Sequence, residues 1–178
     1  MDRVRVSKRL AYVLRHRPDS IGISLDDAGW VDIDVLVAAL RSHGAAVRRR
    51  DLEQLVDRDE KGRYLLDETN NRIRANQGHS LQVNLGYPAM DPPPQLYHGT
   101  AERNIPAILA EGLHRGARHD VHLSPDAETA AVVGARRGRH VVLAVDAARL
   151  AADGATFRCS ANGVWLVDSV PPGYLRRY

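Results

Sequence analysis

The chain has 178 residues, 44% hydrophobic and 26% charged, with a net charge of +3 and a single cysteine. Those values suit one or two small globular domains. They exclude a disulfide-stapled scaffold and a histone-like polycation, because Cys159 has no partner and the charge is small. No apolar run reaches the length of a membrane span, and MDRVRVSKRL lacks the apolar core of a signal peptide, so no membrane partner and a cytoplasmic location are expected.

The first predicted element is a helix carrying Leu10, Val13 and Leu14 at helical spacing, with Ser7 as its cap and Pro18 as its stop. Arg15 and His16 then fall in its last turn. A second helix is read in DVLVAALRSHG, capped by Asp34, with Val35, Leu36, Ala39 and Leu40 inward and Gly44 beyond its end. A third is RDLEQLVDRD, with Leu52, Leu55 and Val56 inward. RYLLD and RIRANQ then form a hairpin across ETNN. Three short helices followed by a hairpin describe a winged helix, a fold that often binds nucleic acid.

GYPAMDPPPQ carries four prolines and no periodicity. It reads as a semi-rigid linker, dividing the chain into residues 1–88, a linker at 89–95, and residues 96–178. Beyond it QLYHG is a strand, and AERNIPAILAEGL a helix stopped by Gly112. VHLS ends another strand, and Ser124 with Pro125 opens the next helix. HVVLAVD is a buried strand, and two more flank a turn at Asn162-Gly163. The class is α+β. Neither a dinucleotide-binding glycine fingerprint nor a P-loop is present.

Two stretches carry candidate chemistry. RIRANQGHS, residues 72–80, holds Arg74, Asn76, Gln77 and His79 without one carboxylate, a composition suited to an anion. Arg63 opens the partner strand of the same hairpin. Only Lys8 and Lys61 among the 25 basic residues are lysines, and arginine is the fork that grips phosphate in a bidentate manner. In the second half, LYHGT places an imidazole, an open backbone and a hydroxyl together at a strand end. His119 and His122 are spaced i, i+3, but no metal-binding pattern accompanies them, so no metal is expected.

LAYVLRH, DEKGRYLL, IRANQGHS, LYHGT, VHLSPD and NGVWLVDSVPP stand in this order between Val6 and Leu175. Together they resemble the RNA 2′-phosphotransferases, enzymes that use NAD to remove a splice-junction 2′-phosphate from tRNA. The resemblance implies a winged-helix RNA lobe followed by an ADP-ribosyltransferase-like lobe with a mixed sheet. It implies an Arg-His-Arg-Arg tetrad at Arg15, His16, Arg63 and Arg118. RHDVHLS departs from the family's usual arginine, one residue, histidine, VHLS, and Arg115 is the alternative fourth member. The resemblance also implies that NAD, a co-substrate, is held by His98, Gly99 and Thr100, with His122, Leu123 and Ser124 lining the same pocket.

Two steps are implied. The RNA 2′-phosphate first displaces nicotinamide. The ribose 2″-hydroxyl then attacks the new phosphodiester, freeing the RNA 2′-hydroxyl and leaving ADP-ribose 1″,2″-cyclic phosphate. A phosphate with a second pKa near ~6 is already anionic at neutral pH, so the first step needs arginines for position and charge more than a base. The second needs an acid and a base, and His16 is the titratable tetrad member. Glu128 is the last glutamate, so the late strands lack the glutamate with which transferases acting on protein side chains hold that hydroxyl, and the remaining Asp146, Asp153 and Asp168 are a methylene shorter. Transfer to a 2′-phosphate is therefore expected, by a monomer. The alternatives are an ADP-ribosyltransferase acting on other acceptors and a winged-helix DNA-binding regulator.

Overall fold

The computed structural model describes residues 3–135 and 138–178. The chain is mixed α/β, with six α-helices and several small antiparallel sheets among these residues. It divides into two compact units, one ending at Gly86 and one starting at Tyr87.

The first unit runs α1 (Arg3–Arg15), β1 (Val31–Asp32), α2 (Ile33–Ser42), α3 (Arg49–Asp57), β2 (Tyr64–Asp67) and β3 (Arg72–Ala75). A 3-10 turn, Pro18–Ile21, follows α1. The strands pair antiparallel in the order β1-β3-β2, with Val31 opposite Ile73 and Tyr64 opposite Ala75. Leu10 and Leu14 of α1, Ile33, Leu36 and Leu40 of α2, Leu52 of α3 and Ile73 of β3 are fully buried together. Burying each such side chain contributes about 1.5–3 kcal/mol, which is what holds these short elements in place.

Details of this unit differ from the sequence reading. Ser7 lies inside α1 and does not cap it. Asp32 caps α2, accepting from the N–H groups of Asp34 and Val35 at 2.8 and 2.9 Å. The helix therefore starts one residue before Asp34, and its inward stripe is Ile33, Leu36, Val37 and Leu40, with Val35 52% exposed. The hairpin turn is held by Asn71, which has φ 54 and donates from Nδ2 to Asp32 and Asp34.

The second unit contains β4 (Gln95–Ala101), α4 (Ile105–Glu111), β5 (Leu113–His114), β6 (Val121–Leu123), α5 (Ala127–Ala135) and β7 (His140–Asp146). After these come α6 (Ala147–Ala152), β8 (Arg158–Cys159), β9 (Trp165–Val167), β10 (Ser169–Val170) and β11 (Leu175–Arg177). Sheets β11-β7-β4 and β6-β9-β8 are each three-stranded and antiparallel, and β10 pairs with β5. Leu96, Val121, Leu123, Val145, Phe157, Val167 and Val170 form the core between them.

The segment expected as a linker is tied to this unit. The Pro94 carbonyl accepts from the N–H groups of Ala147 and Ala148 at 3.1 and 3.3 Å, and the Met90 N–H donates to Phe157 O at 2.9 Å. The helix expected from Ala101 begins as a 3-10 turn, Glu102–Asn104, before α4. At the start of α5 the cap is Asp126, which accepts from Thr129 N at 2.7 Å. Ser124 does not cap because its N–H and C=O are both bonded to Tyr97. α6 and β11 are two elements the sequence patterns did not reveal, being only six and three residues long.

Candidate active site

Each unit gathers one group of the residues singled out from the sequence. In the first, α1 ends at Arg15, and the chain following β3 folds back across that end. The Ser80 N–H donates to Arg15 O, and the Ser80 hydroxyl lies 3.0 Å from His16 Nδ1. Gly78, at φ 86, makes the turn that allows this, and a Cβ there would come 3.7 Å from the Arg15 side chain. Arg63, just before β2, donates from its backbone N–H to Asp59 at 2.5 Å and from Nη1 to the same carboxylate. The Asp59 side chain is only 5% exposed, so it holds the Arg63 guanidinium with a carboxylate that is itself fixed. Between them stands Tyr64, whose buried hydroxyl donates to Ser7 O at 2.9 Å. Burial raises the Tyr64 pKa, and the positive charges of Arg15 and Arg63 oppose that rise. Arg15, His16 and Arg63 thus share one neighbourhood. Asp59, Tyr64 and Ser80 support them and were not picked out in the sequence, although Ser80 closes the RIRANQGHS stretch.

The rest of that stretch faces inward. Arg74 is 9% exposed, donates from Nη1 to Ala28 O and Leu85 O at 3.2 Å each, and lies 4.6 Å from the Trp30 ring centre. Asn76 is buried, and its Nδ2 donates to Gly62 O at 2.6 Å. Its N–H bonds Arg63 O, which links it to the Arg63 backbone. His79 is buried against Gly29, and Gln77 is half-buried. A donor-rich, carboxylate-free segment has a structural explanation here. The acceptors seen for Arg74 and Asn76 are backbone carbonyls, and buried carbonyls need donors.

In the second unit, β4 and β6 are joined by a bridge between Tyr97 and Ser124. One residue further along β4 the contact is made by a side chain, as His98 Nδ1 reaches His122 O at 3.1 Å. A carbonyl can only accept, so Nδ1 carries the hydrogen and Nε2 is left with the lone pair. Burial pushes the His98 pKa down, the bond to His122 opposes this, and Arg118 lowers it further. His98 is therefore a neutral imidazole. Arg118 Nη1 points at His122 Nδ1 from 3.5 Å, whereas Arg115 Nη1 donates to His119 O at 3.3 Å. Of the two arginines, Arg118 is the one turned toward the His98–His122 pair.

Thr100 Oγ1 accepts from Asn104 Nδ2 at 3.1 Å, so its own proton points elsewhere. Gly99 is explained by packing. A Cβ there would lie 1.7 Å from Ala130 O, because β4 and α5 approach through Gly99 and Gly134. Leu123 is buried in the core with Leu96 and Val145, 1% exposed as a whole. Ser124 is half-buried beside the bridge. Asp120, just before β6, lies 3.8 Å from Arg158, and burial raises its pKa. Among the described residues, no group of three or more His, Cys, Asp or Glu side chains could hold a metal ion, and no helix is long and apolar enough to cross a membrane.

Comparison with known proteins identifies the kind of molecule that carries these two groups. A model of the RNA 2′-phosphotransferase, Tpt1/KptA family matches residues 1–169. A probable RNA 2′-phosphotransferase of Streptomyces coelicolor is 56% identical over 173 residues, covering 97% of this chain and 94% of the relative. Relatives of the same description from Trichormus variabilis and Agrobacterium fabrum are each 51% identical, over 97% and 95% of this chain and 94% and 91% of their own. At such identity over nearly the full length of both partners, the chain belongs to the RNA 2′-phosphotransferase, Tpt1/KptA family.

Proposed function

We propose that this protein removes an internal RNA 2′-phosphate, of the tRNA splice-junction type, by transferring it to NAD. The products are nicotinamide, RNA with a free 2′-hydroxyl and ADP-ribose 1″,2″-cyclic phosphate. The observation that carries this reading is that one short segment ties the three residues together, the Asn76 N–H bonding Arg63 O while Ser80 bonds Arg15 O and meets the His16 ring. Two guanidiniums and an imidazole on a rigid frame suit a phosphate monoester better than a neutral or cationic group. The order helix, strand, two helices, hairpin in the first unit supports a winged-helix RNA lobe. We take the paired small sheets of the second as an ADP-ribosyltransferase-like lobe, and the protein as a cytoplasmic monomer.

The residues of the second unit fit NAD. The His98 Nε2 lone pair can accept from a ribose hydroxyl, and the Thr100 hydroxyl can donate. His122 and Ser124 border the same place. NAD supplies an anomeric carbon with nicotinamide as its leaving group. Arg118, turned toward His98, adds positive charge where a phosphate would approach. In the first unit Arg15 and Arg63 hold the RNA phosphate and oppose the charge that spreads over its oxygens during transfer. His16 is the proton carrier of the tetrad. Ser80 engages one ring nitrogen, and the other is the one that exchanges protons with reacting oxygens.

The test is mass spectrometry after incubating the protein with NAD and a short RNA bearing one internal 2′-phosphate. The expected result is loss of the RNA phosphate and gain of the cyclic product. Stable ADP-ribose adducts alone would assign a general transferase. Tight duplex-DNA binding without NAD consumption would assign a regulator.

A further inference from the structure

α1 reads RVRVSKRLAYVLR and contains no acidic residue. At 100° per residue, Arg5, Lys8, Arg9, Tyr12, Arg15 and His16 fall within roughly 120° of its circumference. Val6, Leu10, Val13 and Leu14 occupy the opposite side and are buried. Arg5 and Lys8 are exposed and Arg9 half-buried, its Nη1 donating to His43 O at 2.7 Å. Tyr12 is 48% exposed, and its ring lies 6.2 Å from that of His16. The outer face of α1 is thus a line of cations with one exposed aromatic, and it ends at the two residues placed on the 2′-phosphate. A solvated helix face ordinarily mixes both charge signs. This one does not, and an exposed tyrosine contributes nothing to solubility.

We infer that this face of α1 is a track for the single strand flanking the phosphorylated nucleotide. Arg5, Lys8 and Arg9 take its phosphates, and Tyr12 offers a stacking surface for a base next to the reaction site. The inference rests on the RNA reading above. From Arg5 to His16 the helix rises about 16 Å. At ~3.4 Å of rise per stacked nucleotide the track covers at most about five nucleotides. It is also the nearest run of cations along the chain to Arg15, with neither a carboxylate nor a glycine in between.

The experiment compares a 2′-phosphorylated dinucleotide with an octanucleotide carrying the same phosphate and flanks on both sides. The wild-type protein should show a lower KM for the octanucleotide. Combined Arg5→Ala, Lys8→Ala and Arg9→Ala should raise that KM at least tenfold, leaving kcat and turnover of the dinucleotide unchanged. The log-log salt slope for octanucleotide binding should become shallower by about 2, three phosphates at roughly 0.7 each. Tyr12→Ala should raise the same KM several-fold, and Tyr12→Phe should not. If the triple variant fails to fold, Arg5→Glu gives the same direction, because an acid in the first turn favours the helix. Anisotropy with an unphosphorylated octanucleotide reads the surface even if no turnover occurs. Wild-type binding weakened tenfold in the triple variant then upholds the track while the catalytic reading falls. Equal binding by both proteins, equal loss on both substrates, or preference for duplex DNA over the single strand would overturn it.

Discussion

The two units fix the side chains proposed for the chemistry by different means, although Arg74 and Asn76 of the first unit rest on backbone carbonyls. Around Arg63 and His16, side chains hold side chains. Asp59 anchors Arg63, Ser80 meets His16, and Asn71 ties the hairpin to Asp32 and Asp34. In the second, the backbone does it. The His122 carbonyl sets the His98 tautomer, the Tyr97–Ser124 bridge joins the strands, and Gly99 lets β4 lie against α5. A frame of side chains can be altered one group at a time. A frame of close backbone contacts fails as a whole when any atom is added.

The largest expected effect exploits that contrast. Gly99→Ala brings a Cβ within 1.7 Å of Ala130 O, where backbone must move, and about 3–5 kcal/mol of stability should be lost. Gly78→Ala meets only the Arg15 side chain at 3.7 Å and costs the strain of φ 86, roughly 1–2 kcal/mol. Thermal denaturation of both variants measures the difference, and equal losses would break the comparison.

Arg15→Lys, Arg63→Lys and Arg118→Lys should each lower kcat/KM at least tenfold, about 1.4 kcal/mol, with circular dichroism unchanged, because an ammonium cannot reproduce the fork. A near-normal rate for any of them would remove that arginine from the reacting group.

The third expectation is a pH dependence from the second unit. His98 has a folded pKa below the ordinary 6.5 because it is buried. Its contribution to stability is complete above pH 6.5. As pH falls below that, the unfolded chain takes up a proton that the folded unit refuses, and stability declines until the folded pKa is reached, by at most about 1.4 kcal/mol per pH unit. Melting temperatures at pH 7.5 and 5.5 should show the loss, and His98→Asn should flatten it. An unchanged slope in that variant would assign the acid sensitivity to other groups.

A smaller effect is expected at Ser80. Ser80→Ala leaves one His16 ring nitrogen without its hydroxyl neighbour and should reduce kcat about fivefold, roughly 1 kcal/mol, while Ser80→Thr retains activity. Loss in both variants would indicate that the segment's backbone matters and the hydroxyl does not. The smallest effect is none at all. Activity should survive EDTA, and its restoration by zinc after chelation would bring the histidines of the second unit back as a metal site.

Much of this was legible along the chain. The helices of the first unit follow from apolar spacing, and the hairpin from two short runs, RYLLD and RIRANQ, separated by the turn residues ETNN. Arg15 and His16 at a helix end and His98 on a strand were readable because each position depends on a few neighbouring residues. Two helix caps lie two positions from those the sequence suggests, and Ser7, the cap expected for α1, lies within that helix. Asp32 and Asp34, or Ser124 and Asp126, are equally suitable chemically, and pairing partners far away in sequence decide between them.

The amino-acid order by itself determined the longer helices and strands, the family motifs and the arginines at positions 15, 63 and 118, since all of these rest on local spacing and side-chain chemistry. Tertiary structure alone decided which way the donors of RIRANQGHS face. Arg74 is turned inward by the carbonyls of Ala28 and Leu85, 46 and 11 residues away. Tertiary structure also chose Arg118 over Arg115 beside the histidines, assigned the proline-rich segment to the second unit, and made Gly99 a packing necessity. The physical reason is common to these cases. A side chain's type is carried by its own residue, but the acceptor, wall or neighbour that orients it comes from another part of the fold.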